Sequence, residues 1–585
     1  MAEAEFYELV GNSDSEDDEF MGFYPEDIGD EIGENFDLDA DIDLDDQELR
    51  EIEQEVENEM DREDRDPKHN AYFSPWLTEF SENSGPKHVE GSESDIFLTL
   101  FNNEIIDILV TQTNLYYEQY ITNLGGVENL KPHARARKWT DVTNSEMKAF
   151  IGIILYMGVV RLPGYDSYWN TDELISLKGF TVLMPRDRFL NILSFFHAAD
   201  NSQEPPRDSP NFDPTYKFSE VAKLLVSQWQ HYYYPGRELS VDETLIPYKG
   251  RTKYLQYIPS KPHKWGLKTW TLAESSTGYV YNWVLYTGKA AGDPTKGAAH
   301  RVVMNVTEPL LHKGHHLYCD NFFTSPSLFQ DLEDNQTGAC GTLRTNRIGV
   351  PNAVKTAKPK KGDLPVVVRQ GNKLYICWHD KRQVNMLTTV HNGSTYTKTV
   401  RSKFHDGHVR EVDHPRAIQL YTQHMGGVDV ADQQTQYCVS QHRMLKWWKK
   451  LVICNLLEVT FCNSKIIWKS LNGGKKVSSM KFRLAVIHGL LEGYEPTNKR
   501  FARPVNNPPS RLTEKHFPSM NPHMTAGGRR STPDCAVCSD REQKKRHQTQ
   551  FICLQCDTPL CVYPCFMRYH SMVYFKITCS PELHK

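Results

Sequence analysis

Positive charge is nearly absent from the first 66 residues. They hold 29 aspartates and glutamates but only Arg50, Arg62 and Arg65, a net of −26. Aliphatic core residues are scarce there as well. Such a segment cannot bury enough apolar surface to offset the entropy of ordering, so residues 1–68 are expected to form an acidic disordered tail, with a transient acidic helix over 46–65. Ser13 and Ser15, in Ser13-Asp-Ser-Glu-Asp-Asp-Glu19, stand in a setting suited to an acid-directed kinase. Long hydrophobic runs are also missing. The best, Ala149 to Leu162, is too short to cross a bilayer and reads as a buried helix. The acidic start does not resemble a secretory leader, so a soluble intracellular protein is expected. Cysteine is sparse over most of the chain. Six of 13 are scattered before residue 535, which argues against a disulfide framework and suits a reducing compartment.

What the chain has is a basic body. The residues after 66 carry 64 Lys or Arg against 46 Asp or Glu, a net of +18. That charge fits a nucleic-acid partner, although a soluble charged body with an unrelated tail has the same arithmetic. The length, 585 residues, suggests about three or four domains. Helical periodicity begins at Asp95, where Phe97, Leu100, Phe101, Ile105, Ile106 and Leu109 share a face. More helices are expected at 144–161, 186–197 and 218–233, so 95–237 reads as an all-helical block. Short β-rich runs follow at 238–242, 264–273, 279–286 and 315–320, then a helix at 325–333 and a strand near 337–344. This pattern predicts a mixed α/β core over 238–346. Residues 347–415, with strand-like runs at 365–369 and 373–378, read as a β-rich insertion. A helix near 428–437 returns to the core over 416–440, and a helical stretch at 443–470 opens a second helical part and linker, 441–517. Pro504, Pro508, Pro509 and Pro518 mark that linker, before a Cys-rich domain over 530–585.

Three phrases place aspartates where a metal-dependent phosphodiester chemistry needs them: Leu239-Ser-Val-Asp-Glu243, Leu317-Tyr-Cys-Asp-Asn-Phe-Phe323 and Gly426-Gly-Val-Asp-Val-Ala-Asp432. Asp242 and Asp320 close apolar strands. Asp429 opens a helix and shares a face with Asp432, three residues on. Mg²⁺ takes oxygen ligands and keeps some water, so two or three carboxylates suffice to hold it. Any one of these aspartates also fits a turn or helix cap, Asp429 above all.

At these phrases the chain resembles the piggyBac transposase family. Ser240-Val-Asp-Glu-Thr-Leu-Ile-Pro-Tyr-Lys-Gly-Arg251 is similar to the family's first acidic strand, and Tyr257-Ile-Pro-Ser-Lys-Pro-His-Lys-Trp-Gly-Leu-Lys268 to the basic segment after it. Tyr318-Cys-Asp-Asn-Phe-Phe-Thr-Ser325 and Gly426-Gly-Val-Asp-Val-Ala-Asp-Gln433 are similar to the second and third acidic motifs. The resemblance runs from about Asp95 to Leu471 and resumes in the tail. It implies an RNase H-like catalytic core with an insertion, flanked by a helical dimerisation and DNA-binding region. It implies Asp242, Asp320 and Asp429 as a catalytic triad holding two Mg²⁺ ions, with Asp432 as an auxiliary. It further implies a nuclear homodimer acting on double-stranded DNA, with cut-and-paste movement from terminal inverted repeats, through hairpin ends, to TTAA targets. The other readings are a domesticated DNA- or chromatin-binding descendant that no longer transposes, and a simple Mg²⁺ nuclease.

Candidate DNA contacts follow from charge and stacking. Lys261, Lys264 and Lys268 flank the first aspartate together with Lys249, Arg251 and Lys253, and a solvated strand edge explains any one of them equally well. His442-Arg-Met-Leu-Lys-Trp-Trp-Lys-Lys450 offers Arg443 and Lys446 to phosphates and Trp447 to a displaced base, where the family resemblance also places an aromatic. Trp448 falls on the apolar stripe of the helix. The tail reads Cys535-x2-Cys538, Cys553-x2-Cys556, Cys561, Cys565 and His570, which points to structural Zn²⁺. Seven ligands suggest two zincs, interleaved, with His547, Asp557, Cys579 or His584 as the eighth. Lys544-Lys545-Arg546 inside it suits phosphate contact, nuclear import or a solvated loop.

Overall fold

The computed structural model describes residues 77–495 and 516–575, apart from 173, 260, 289–295, 402–408, 441, 445, 526, 541–544 and 573–574, together with Gln47, Gln54 and 73–75. The tail expected over 1–68, its helix, Ser13, Ser15, three of the linker prolines, Lys544, Cys579 and His584 lie outside the described residues. The chain divides into two compact units, Met1–Tyr494 and Glu495–Lys585.

In the first unit the periodic stretch from Asp95 breaks once. Ser92 and Asp95 form a capping box that starts α1, Glu93–Leu100. Asn102 then accepts from the Ile105 amide and starts α2, Asn103–Asn123. The apolar face still runs through the break, since Phe97, Leu100, Phe101, Ile105, Ile106 and Leu109 are all buried. α3, Asn144–Val159, α4, Arg186–Phe195, and α5, Ser219–Tyr232, complete the first helical block.

The strands that follow are β1, Glu238–Pro247, β2, Leu255–Tyr257, β3, Trp265–Glu274, and β4, Val280–Leu285. α6, Ala298–Thr307, leads to β5, His316–Cys319, and α7, Pro326–Asp334, leads to β6, Gly338–Thr342. Then come β7, Val366–Gln370, β8, Lys373–His379, and β9, Gln383–Thr388. Among the described residues these nine strands form one sheet in the order β2-β3-β1-β5-β6-β9-β8-β7, with β4 also on β3. β3 is antiparallel to β1, while β5 is parallel to β1 and β6 to β5. The register pairs Val241 with Cys319, so Asp242 and Asp320 follow the last pair of the parallel ladder side by side. Asp320 ends its strand as expected, whereas Asp242 lies inside β1, which runs on to Pro247 against β3. The insertion therefore has two parts. β7 to β9 extend the core sheet through Met386 against Thr342, whereas β10, Thr395–Arg401, and β11, Val409–Pro415, make a separate hairpin.

α8, Arg416–His424, and α9, Gly427–Tyr437, bring the chain back to the sheet. The helix α10, Trp447–Leu471, starts four residues later than expected and contains a wider-turned stretch, Val452–Leu456. It is long and apolar enough to cross a membrane, yet 89% of that apolar window is buried within the protein. With α11, Ser479–Leu491, it joins the first helical block, and Phe150, Trp229, Leu456 and Phe482 share one core. Arg483 on α11 and Glu458 on α10 form a bidentate ion pair at 2.9 and 2.5 Å, each side chain 1% exposed.

The second unit holds β12, Pro518–Met520, β13, Phe551–Cys553, β14, Thr558–Pro559, and α12, Cys565–Ser571. Pro518, expected in a linker, pairs with Cys553 on an edge strand, where a missing N–H is tolerated. The folded part of the tail thus begins before residue 530.

Candidate active site and metal-binding tail

Alternation along β1 puts Ser240, Asp242 and Thr244 on one face, and α9 lies on it. The Val428 amide donates to Ser240 Oγ at 3.2 Å, and Thr244 Oγ1 donates to Asp432 Oδ1 at 2.7 Å. The close approach needs glycine: a Cβ on Gly427 would come within 2.5 Å of Ser240 Oγ and 2.9 Å of the Glu274 carbonyl. Asp242 sits between the two tethers on the strand. Its Oδ1 accepts from the Glu243 amide at 2.8 Å, and Asp320 Oδ1 accepts from the Phe322 amide at 2.8 Å. Gly426, not Asp429, holds the N-cap position of α9. Asp429 lies exposed in the first turn, one turn before Asp432. The structure thus sets Asp242 beside Asp320, ties Asp432 to the Asp242 strand, and leaves Asp429 at the rim of the same helix.

The electrostatics follow the geometry. Burial pushes the Asp242 carboxyl up to about 7, and the charge of Asp320 adds to the rise. Burial likewise raises Asp320, with Glu243 adding and Arg344 opposing. Burial raises Asp432 to about 6 against the Thr244 hydrogen bond and the Lys261 charge, with Asp429 adding. Lys261 acts on both Asp242 and Asp432, and its Nζ donates to the Glu243 carbonyl at 3.0 Å. Carboxylates held together at this cost form an oxygen-rich site whose repulsion a divalent cation relieves. The donor set therefore fits Mg²⁺.

In the tail, two groups of four ligands have their donor atoms within 4.8 Å of one another. One is Cys535, Cys538, Cys561 and Cys565. The other is His516, Cys553, Cys556 and His570. They alternate along the chain, so the all-cysteine group joins two segments and the mixed group three, each separated by the other's ligands. His516 Nδ1 lies 3.4 Å from Cys553 Sγ and 3.5 Å from Cys556 Sγ. His570 turns Nδ1 to the Phe566 carbonyl at 2.8 Å, which frees Nε2 for the thiolates. Among the described residues the donor that completes eight is thus His516 rather than His547 or Asp557. His547 is exposed with its amide on Ser539, and Asp557 occupies a left-handed turn position at φ 47°. The sequence signal for His516 is weak because it stands 19 residues before the first Cys-x2-Cys pair, outside any local ligand spacing.

A family model described as Transposase IS4 matches residues 92–465, and one described as a DDE_Tnp_1-like zinc finger matches 519–571. The human PiggyBac transposable element-derived protein 3 is 27% identical over 498 residues, covering 82% of this chain and 76% of that protein. The chain belongs to the piggyBac transposase family. The human PiggyBac transposable element-derived protein 2 is 25% identical over 403 residues, 65% of this chain and 62% of its own length. A cryo-EM structure of the piggyBac transposase synaptic complex with hairpin DNA superposes with a TM-score of 0.64 at 22% identity, covering 82% of this chain and 98% of that one. The fold is therefore the mixed α/β fold of a piggyBac transposase with a zinc-finger domain at its C-terminal end.

Other piggyBac-type positions scatter by environment. Lys264 and Arg443 are exposed, and Lys446 occupies the N-cap of α10. Trp447 is half-buried, edge-on to Phe218 and Tyr254 at 5.8 and 5.0 Å. Trp448 is core, packed on Phe196 and His197. Lys449 turns inward and donates to the carbonyls of Leu193 and Ser194 near the end of α4, a favourable place for a cation. Lys268 is only 13% exposed and pairs with Glu243, so it faces the protein rather than open solvent. In the tail, Arg546 pairs with Asp534 at 2.7 Å. Two arginines escaped sequence reasoning because nothing in their spacing marks them. Arg344 Nε donates to Asn321 Oδ1 at 3.1 Å, and buried Arg347 donates to the carbonyls of Asn321 and Phe322. Together they fasten the turn that follows Asp320.

Proposed function

We propose that this chain is a DDD-type DNA transposase. It binds terminal inverted repeats of double-stranded DNA as a homodimer in the nucleus, excises the element through hairpin ends and joins it at TTAA. Its sheet is an RNase H-like core: β1, β3 and β4 run antiparallel in turn, short β2 flanks β3, and β5 and β6 add in parallel beside β1. The single observation behind this reading is the placement of Asp242 and Asp320 side by side just past the last pair of a parallel ladder, under a helix carrying Asp429 and Asp432. Asp242, Asp320 and Asp429 would hold two Mg²⁺ ions. When bound, such a pair activates an attacking water or 3′-hydroxyl and stabilises the leaving oxygen. The chain's own contribution is placement. Arg344 and Arg347 fix the turn that orients Asp320, and the Ser240 and Thr244 tethers fix α9 against the strand that carries Asp242. Lys261 and Lys264 meet phosphates, Arg443 and Lys446 extend that track, and Trp447 stacks a base unpaired at the hairpin. Two Zn²⁺ ions hold the tail, which binds DNA or chromatin.

The test is cleavage of candidate end DNA by the purified full chain with Mg²⁺, with Asp320→Ala as control. Strand-specific nicks and hairpins from the wild type alone are expected. Equal cleavage by both proteins removes Asp320 from the chemistry. DNA binding without cleavage by the wild type gives the function to a binding-only descendant.

A further inference from the structure

Lys268 differs from exposed Lys264 in having internal partners. β1 and β3 pair Glu243 with Trp270 and Leu245 with Lys268, so Glu243, Lys268 and Trp270 share the face of the sheet opposite Asp242. There the Lys268 amine lies 3.2 Å from Glu243 Oε2. It also sits 4.0 Å from the centroid of the Trp270 ring and 4.9 Å from that of Phe322, with Tyr286 at 5.7 Å. Trp270 and Phe322 stack on each other at 5.7 Å. Phe322 is the residue whose amide holds the Asp320 carboxylate. One ammonium thus touches both sides of the acidic centre: the strand of Asp242 through Glu243, and the turn of Asp320 through Phe322.

Glu243 is the hazard in this arrangement. It is adjacent to Asp242 and is the foremost charge acting on Asp320. Unpaired, it would add an uncompensated negative charge next to Asp242 and Asp320 from the opposite face of the sheet. We propose that Lys268 is a positioning residue, which neutralises and holds Glu243 away from the cation site and braces the Phe322 turn that aims Asp320. This rests on the reading of Asp242 and Asp320 as cation ligands. The two aromatic rings beside the amine and its 13% exposure favour an internal fixed charge over a phosphate contact.

The experiment is Mn²⁺ titration of the full chain without DNA, followed by electron paramagnetic resonance. K268M removes the positive charge and frees Glu243, so the Mn²⁺ dissociation constant falls about tenfold. E243Q leaves Lys268 uncompensated beside Asp242, so it rises about tenfold. The K268M/E243Q double variant returns to within about threefold of the wild type, since the two residues act as a coupled pair. DNA affinity of K268M keeps the wild-type salt slope. Should K268M fail to fold by circular dichroism, E243Q and the charge-preserving K268R carry the test, with K268R within about threefold of wild type. Unchanged Mn²⁺ affinity in E243Q and K268M, or a double variant that does not compensate, overturns the proposal. So does a K268M salt slope reduced by about one, which puts Lys268 on a phosphate. D242N separates the two levels: if it binds Mn²⁺ as the wild type does, the cation-site reading has failed. If D242N loses Mn²⁺ while the Lys268 and Glu243 variants are silent, only the role of Lys268 has failed.

Discussion

The acidic centre and the Cys/His tail gather candidate cation ligands by opposite routes. In the tail most ligands come in pairs three or four positions apart, so one turn of chain sets half of each site. In the body, Asp242 and Asp320 are 78 positions apart and Asp432 lies 112 beyond Asp320, and nothing local brings them together. The sheet register and the packing of α9 do. The tail has a small core built largely from its ligand cysteines, so its fold is expected to depend on metal, whereas the body folds around a large core and pays for its acidic centre in repulsion. The tail site is therefore expected to fail structurally and the body site chemically.

The largest effect tests the first half of that contrast. Stripping the metal, or Cys556→Ser, should unfold the tail, since structural zinc in small modules supplies about 10–16 kcal/mol. The thermal transition of the body should not move. Elemental analysis sharpens the assignment: His516→Ala should lower tightly bound zinc from two to one per chain, and two remaining zincs would exclude His516. Next in size, Asp242→Ala and Asp320→Ala should each lower cleavage by about 10³-fold or more while the body keeps its melting temperature, a loss of the scale of other charge-stabilising groups. An equal loss of folding would blur the contrast.

A core residue gives the opposite outcome. Arg483→Met leaves Glu458 buried without its partner and should cost the body about 3–5 kcal/mol by chemical denaturation. Adding Glu458→Leu should restore most of it.

A smaller effect comes from Asp242 and pH. Its carboxyl is raised in the folded protein to about 7, from an ordinary 3.8. A raised carboxyl penalises the fold when ionised, so the penalty is full above about pH 7 and fades as pH falls toward 4. Without divalent cation, Asp242→Asn should therefore be more stable than wild type at pH 8, by about 1–2 kcal/mol after allowance for partial exposure, and equal to it near pH 4. Melts at both pH values with and without Mg²⁺ check it. The smallest expected change is Lys264→Ala, which should weaken DNA binding uniformly across sequences and reduce the salt slope by about one.

Much of the architecture was legible in advance, for identifiable reasons. β1, β3, β4 and β5 lie where short β-rich runs end in turn residues, and α9 follows a Gly-Gly start. α2 was merged with α1 because the apolar face crosses their boundary, and only the Asn102 cap separates them. β7 to β9 read as a separate insertion because strand pairing to β6 is long-range and leaves no local mark. Lys268 read as a DNA-contact candidate because its segment has the composition of a basic patch, while its burial comes from Glu243 on the neighbouring strand.

The sequence by itself determined the acidic tail's charge, the kinds of elements, the three acidic phrases and seven of the eight tail ligands, because each is written in composition or in short spacing. Only the tertiary structure decided that Asp242 stands beside Asp320, that α9 contacts the strand through Asp432 with Asp429 left at the rim, that Lys268 serves the interior and that His516 completes the second ligand group. Those outcomes depend on which distant segments pack together, and that is set by the burial and register of the whole sheet rather than by any residue's neighbours along the chain.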